Sequence, residues 1–132
     1  MKTIIPTPES MSAVLANTPK GRPVVMLNLL KFREHAHYEG ESSNLSGQEA
    51  YREYGRGAIR CIHAVGGDVV WSGKPTGTLI GPQDEQWDEV LLVRYPSIDA
   101  FLEMINSPEY KKIVHHRAAA MDDSRLMPML QS

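Results

Sequence analysis

The sequence predicts an α+β fold in which helices cover one face of a four-stranded antiparallel sheet. Three observations lead to this prediction: a length of 132 residues, a hydrophobic content of 42%, and an order of elements that reads strand, helix, strand, strand, helix, strand. At about 150 residues per domain the chain forms one domain, 1–132. The order of its elements is typical of the ferredoxin-like βαββαβ arrangement.

Composition and charge exclude several classes of protein. Fourteen basic and sixteen acidic residues give a net charge of −2, so the chain lacks the positive surface that nucleic acids require. The longest apolar run, Val24–Leu30, is shorter than the ~20 residues that span a bilayer, and Asn28 interrupts it. Cys61 is the only cysteine and no secretory leader is recognisable, so we expect a cytoplasmic protein that contacts neither membrane nor nucleic acid.

The amino terminus predicts a short helix. Thr7 is a favoured cap residue, Pro8 fits the first helical position, and Glu9 places a negative charge in the first turn. The pattern favours a helix that ends at about Asn17. We expect residues 1–22 to form a peripheral helix and turn.

Residues Val24–Phe32 predict the first strand. They are apolar at odd and even positions alike, except for Asn28 and Lys31, which is typical of a central strand covered on both faces. The next segment, 33–45, is polar and shows no periodicity, so we expect a loop insertion there.

The strongest helix signal in the sequence follows this loop. Ser46 and Glu49 form the capping-box pattern, a serine cap with a glutamate three residues later, and Gly66-Gly67 ends the helix. Between these signals the apolar residues recur at the spacing of one helix face. They are Ala50, Tyr54, Ala58, Cys61, Ile62 and Val65.

Two strands and a helix come next. Runs rich in valine, leucine and tryptophan at 68–73 and 87–95 predict the strands, because glycine and proline bound them. Ser97 then caps a helix over 98–105.

The carboxy-terminal part predicts one more helix and one more strand. Ser107 is a cap and Pro108 fits the first position of a helix that runs to about Met121. A last strand is predicted at 125–130, where Pro128 requires an edge position or a bulge.

The face of the sheet opposite the helices is also apolar, since the strands predicted at 24–32 and 90–93 are apolar on both sides. A contiguous apolar patch of this kind marks a contact surface. Its simplest partner is the same sheet of a second copy. We therefore expect a homodimer, and further pairing of dimers into tetramers stays open.

Four stretches of the chain carry a resemblance to a known family. They are VVMLNLLKF at 24–32, AVGG at 64–67, WDEVLLVRYPS at 87–97 and SPEY at 107–110. Over Val24–Leu130 the chain resembles domain-of-unknown-function family 1330. That family is similar to the dimeric α/β-barrel superfamily, in which two ferredoxin-like sheets close face to face.

The resemblance implies a fold and a dimer rather than a substrate. The wider superfamily is similar in fold to cofactor-independent monooxygenases of aromatic polyketides, to muconolactone isomerases and to haem-dependent chlorite-degrading enzymes. Because fold does not establish activity, the candidate residues are chosen by their own chemistry.

Three polar side chains fall on elements that are otherwise apolar. Burying the Asn28 amide costs on the order of a few kcal/mol unless it bonds to backbone or to a ligand. Arg94 either reaches the edge of the sheet or clamps a carboxylate or enolate. Arg117 faces the sheet from its helix and needs a partner, which is either an internal carboxylate or an acidic ligand.

Two aromatic side chains are further candidates. Tyr54 lies on the inner stripe of the capped helix and Trp71 on the second strand. We expect both to lie between helix and sheet, where they either pack in the core or line a ligand space.

His116 is the candidate general base, with a structural role as the alternative. His115 and His116 point about 100° apart on a helix, so they cannot chelate one metal together. No third ligand stands at a metal-binding spacing, and we expect no metal site. His116 adjoins Arg117, so a base would stand beside a group that holds an anion.

These residues predict a homodimer that binds a small, partly apolar organic acid or aromatic molecule between sheet and helices, without a cofactor. Its binding residues are Asn28, Tyr54, Trp71, Arg94 and Arg117, and His116 would transfer the proton in a cofactor-free isomerase or monooxygenase. The alternative is a non-catalytic binding or assembly module whose interior is filled by its own side chains. A cavity of about 300 Å³ near Asn28 and Arg117 distinguishes the two.

Overall fold

Helices and strands alternate in the predicted βαββαβ order, after one additional helix at the amino terminus. A computed structural model describes all residues, 1–132. The second crossover consists of two consecutive helices. The elements are α1 (Pro8–Asn17), β1 (Val24–Phe32), α2 (Gly47–Ala64), β2 (Asp68–Gly73), β3 (Glu89–Tyr95), α3 (Ile98–Ile105), α4 (Pro108–Ala120) and β4 (Met121–Met129).

The four strands form one antiparallel sheet in the order β2-β3-β1-β4. β1 is central, as its two-sided apolar sequence predicts. β4 begins at Met121 rather than at Arg125, because α4 passes directly into the strand without a loop. Pro128 lies on this edge strand, where its missing N–H breaks no ladder bond on the outer side.

The side chains that point toward the helices form what we call the covered face. Val24, Met26 and Leu30 of β1 are fully buried there. Val93 and Tyr95 of β3 lie opposite on the same face and join them in the core. The alternation of β1 therefore places its even-numbered residues under the helices.

The opposite side of the sheet, which we call the open face, has no helix over it. Leu27 lies at its centre, between Leu92 of β3 and Met127 of β4. Met127 is 45% exposed, and Leu27 and Leu92 are only half-buried. The other apolar members are Val25, Leu29, Val90 and Met129.

Segment 33–45 crosses the ends of two helices. The Ala36 N–H donates to the Leu45 carbonyl at 2.9 Å, and the His37 N–H donates to the Ala119 carbonyl at 2.9 Å. Tyr38 is buried against Ala119 and its neighbours. Gly47 opens α2 against the Arg33 carbonyl, so closely that a Cβ would collide with that backbone.

The first five residues run beside the start of β4. Thr3 donates from its N–H to the Asp123 carboxylate at 2.8 Å and from its hydroxyl to the Ser124 carbonyl at 2.6 Å. The Ser124 hydroxyl donates back to the Thr3 carbonyl at 2.8 Å. Thr7 and Ser10 then form a reciprocal cap for α1. None of the helices is both long and apolar enough to cross a membrane.

Candidate functional site

A cavity of about 720 Å³ lies between the covered face of the sheet and the helices. Residues from α2, α3 and α4 form one side of it, and β1, β3 and β4 form the other. The amino-terminal segment supplies a further wall, with Ile4, Met11 and Val14 among its members. Residues 1–22 lie at the periphery, since α1 has no buried residue, and part of this segment also lines the cavity.

The cavity exists because small residues of α2 face the sheet. Gly55 and Ala58 line it where larger side chains would fill it. Aromatic rings of Tyr54, Tyr95 and Tyr110 stand around this space and keep its walls largely apolar. The volume exceeds the 300 Å³ that distinguishes an open interior from a filled one, and both Asn28 and Arg117 line it.

Arg117 enters the cavity from the inner stripe of α4. One guanidinium nitrogen donates to the Ile4 carbonyl at 2.7 Å and another to the Ser124 hydroxyl at 3.4 Å. No carboxylate of the chain pairs with Arg117. The prediction of an internal carboxylate as its partner is therefore wrong. The second charged residue of the lining, Arg125, pairs with Asp123 at 2.7 Å. The lining contains no carboxylate, lysine or histidine, and its charge is positive.

Tyrosine hydroxyls provide the hydrogen-bonding groups of the site. The Tyr54 and Tyr110 hydroxyls bond to each other at 2.8 Å, and the ring of Tyr51 lies 5.4 Å from that of Tyr54. Burial raises the pKa of Tyr51 and of Tyr54, and the charge of Arg117 acts in the opposite direction. Both phenols therefore stay protonated at neutral pH and can donate. The Tyr51 hydroxyl has no partner within the chain.

Tyr51 and Tyr110 are absent from the residues that the sequence singles out. Tyr51 lies one position outside the apolar stripe of α2, and Tyr110 looks like an ordinary core residue after its Ser-Pro-Glu cap. A usable signal was present, because Tyr51 and Tyr54 are three residues apart and share a helix face.

Asn28 makes the backbone bonds that one of its two predicted roles requires, and it also lines the cavity. Its Nδ2 donates to the carbonyl of Met26 at 3.2 Å and to that of Leu91 at 3.5 Å. Since both partners are acceptors, the amide nitrogen must point toward them. The amide oxygen makes no bond within the chain, and the residue lines the cavity.

Trp71 and Arg94 do not lie between helix and sheet, so that placement is wrong for both. In β2 the register shifts between Val69 and Trp71. Val69 thus lies opposite Val93 on the covered face, whereas Trp71 lies opposite Leu92 on the open face and is 55% exposed. A bulge adds one residue to a strand and reverses the alternation beyond it.

Arg94 shares the open face with Trp71. It lies opposite Val25 and is exposed. It has the same parity in β3 as Val90 and Leu92. That parity directs all three side chains away from the cavity, because the covered face carries the odd-numbered residues of β3.

His116 also lies outside the cavity. Its Nδ1 is 2.7 Å from the Tyr38 hydroxyl, and its ring stacks 4.1 Å from that of His115. Desolvation, followed by the charge of His115, lowers the pKa of His116. Consecutive residues of a helix point about 100° apart. Because Arg117 points into the cavity, the side chain of His116 points away from it, toward segment 33–45. The base that the sequence proposes is not placed to act on a molecule in the cavity.

Comparison with families and curated proteins gives one match. A family model described as a domain of unknown function, DUF1330, matches residues 40–128, from segment 33–45 through most of β4. No curated protein matches the chain significantly.

Several solved structures are similar over most or all of the chain. A protein of unknown function from Rhodopseudomonas palustris is 43% identical with a TM-score of 0.91, and the alignment covers 100% of this chain and 98% of that one. A hydroxynitrile lyase from Passiflora edulis is 11% identical with a TM-score of 0.55, covering 85% and 95%. A DABB family protein with a ferredoxin-like fold from Mesorhizobium loti is 8% identical with a TM-score of 0.53, covering 83% and 97%. The last two likenesses show the ferredoxin-like fold alone.

Proposed function

We propose that this chain, which belongs to the DUF1330 family of unknown function, binds a small, partly apolar organic acid in the cavity between sheet and helices. The observation that carries the proposal is Arg117. It is the one charged residue of the lining without a carboxylate partner, and it stands among apolar and aromatic walls. An anionic group on an apolar body satisfies both features.

The size of the cavity supports a ligand rather than a filled interior. Small-molecule sites are typically about 300–1,000 Å³, largely apolar, with few polar groups that fix orientation. At about 720 Å³ this cavity falls within that range. Three of its polar groups keep bonding capacity that the chain does not use: the Arg117 guanidinium, the Tyr51 hydroxyl and the Asn28 amide oxygen.

The proposal includes a homodimer through the open face. The isolated chain exposes 8592 Å², whereas a monomeric protein of its mass exposes about 7,000 Å². The excess of about 1,600 Å² per chain is about twice the 800 Å² that each partner contributes to a standard interface, so the chain has enough additional surface for one. In this arrangement Trp71 and Arg94 belong to the interface rather than to the cavity.

Binding is a better-supported function than catalysis. Arg117 and the tyrosine hydroxyls can stabilise an enolate or phenolate, as a cofactor-free isomerase or monooxygenase requires. Proton abstraction also needs a base, and the titratable groups of the lining are tyrosines and arginines only. A reaction in this cavity would therefore be limited to a substrate that ionises without help from the protein.

Binding is tested with 1-anilinonaphthalene-8-sulfonate, an aromatic anion whose fluorescence rises in apolar sites. We expect saturable binding of one dye per chain. Ala58→Phe fills the cavity from α2 and should abolish this binding, whereas Ala64→Phe makes the same change at the exposed end of the helix and should not. Equal binding by both variants would contradict the proposal.

A further inference from the structure

We propose that the cavity takes weakly acidic phenols and enols in their ionised form, so that the ligand loses its proton to solvent as it binds. The oxyanion would lie at Arg117 and accept a second hydrogen bond from Tyr51. This inference rests on the proposed binding function and names the chemical class and charge state of the ligand.

The first support is the unused bonding capacity of Arg117. Its guanidinium bonds to two neutral groups, the Ile4 carbonyl and the Ser124 hydroxyl, and it has more N–H donors than these bonds use. A half-buried cation without a counter-ion favours an anion over its neutral acid. An opposite charge within about 4–6 Å lowers the pKa of an acid by about 1–3 units.

The second support is the tyrosine pair beside it. Tyr51 and Tyr54 lie close enough to Arg117 for its charge to act on their pKa values, yet burial keeps both phenols protonated. Tyr54 already bonds to Tyr110, whereas the Tyr51 hydroxyl is free to donate. Tyr51 and Arg117 both line the cavity, so a hydroxyl donor and a guanidinium are available to one oxyanion.

No other group near the site reverses this preference. On β4 the charge of Arg125 is balanced by Asp123. On β3 the Glu89 carboxylate adds to the rise that burial causes in the pKa of Tyr51. Glu89 does not line the cavity, however, and the positive charges of Lys74 and Arg52 offset its charge. The field that a ligand meets is therefore dominated by Arg117.

The test uses 4-nitrophenol, because its phenolate is coloured and its neutral form is not. The ionised fraction of the bound probe is followed by absorbance across pH at saturating protein. Apolar walls raise the pKa of a phenol and the guanidinium lowers it. We expect a net fall of about one unit against the free probe, which corresponds to about tenfold tighter binding of the phenolate.

Variants assign the effect to the two residues. Arg117→Gln should abolish the fall in the pKa of the probe, and Arg117→Lys should preserve it because the charge remains. Tyr51→Phe leaves Arg117 in place and should weaken phenolate binding by about tenfold, as expected for the loss of a hydrogen bond to a charged group. Arg60→Gln removes one positive charge from the exposed side of α2 and should change nothing.

The outcomes separate this inference from the proposed function. If the probe binds with an unchanged or raised pKa, the inference is overturned and the binding function stands. The same holds if the anilinonaphthalene dye binds and nitrophenol does not. If neither compound binds, both proposals fail.

Discussion

A lysine at the centre of the open face should dissociate the proposed dimer. Leu27 lies between Leu92 and Met127 and is only half-buried within the protomer, so Leu27→Lys alters the face without opening the core. Full burial of a leucine contributes about 1.5–3 kcal/mol. Leu27 is already half-buried in the protomer, so dimerisation gains about half of this for each of two copies, about 1.5–3 kcal/mol in total. This corresponds to a rise in Kd of about 10-fold to 150-fold, to which the burial of two lysine charges adds.

Sedimentation equilibrium over a range of protein concentrations measures this change. The unaltered protein should sediment as a dimer and Leu27→Lys as a monomer with an unchanged circular dichroism spectrum. Ala64→Lys, an equivalent change at the exposed end of α2, should stay dimeric. The reasoning is refuted if the unaltered protein is monomeric at every concentration, or if Leu27→Lys dimerises as tightly as its parent.

Two further predictions concern stability. Because the pKa of His116 is lowered in the folded state, the unfolded chain binds protons more readily, and the free energy of unfolding should fall as pH drops below about 6.5. Urea denaturation at two pH values measures this fall, which should be smaller in His116→Gln. An equal fall in that variant would contradict the lowered pKa of His116. Leu30→Ala removes a side chain with no exposed surface and should cost about 2–5 kcal/mol in the same assay, so a loss under about 1 kcal/mol would contradict its place in the core.

Local chemistry explains why so much of the fold could be predicted. Each of the four helices has a hydroxyl cap whose oxygen accepts a hydrogen bond from the backbone N–H three residues later, and such bonds depend only on neighbours in sequence. The caps are Thr7, Ser46, Ser97 and Ser107. The two-sided apolar pattern of Val24–Phe32 likewise predicts a central strand, and the βαββαβ order predicts that helices cover only one face of the sheet.

The site was less predictable because small geometric changes redirect its side chains. A single-residue register shift in β2 moves Trp71 to the open face, and one step along α4 moves His116 away from the cavity that Arg117 enters. Neither change alters the type of element, so the pattern of hydrophobic residues does not reveal it.

The wall formed by the amino-terminal segment depends on contacts distant in sequence. Arg117 bonds to Ile4, and Ser124 exchanges bonds with Thr3, across more than a hundred residues of chain. No local pattern in residues 1–22 announces these partners. The sequence therefore predicts a peripheral segment but not its place in the lining of the cavity.

A crystal structure of the purified protein, without added ligand, would show whether Arg117 binds an organic acid in the cavity. We expect electron density for a small molecule there, with an oxygen within hydrogen-bonding distance of the Arg117 guanidinium and its apolar part near Ala58. A cavity closed by the protein's own side chains, with Arg117 paired to an internal carboxylate, would contradict this expectation.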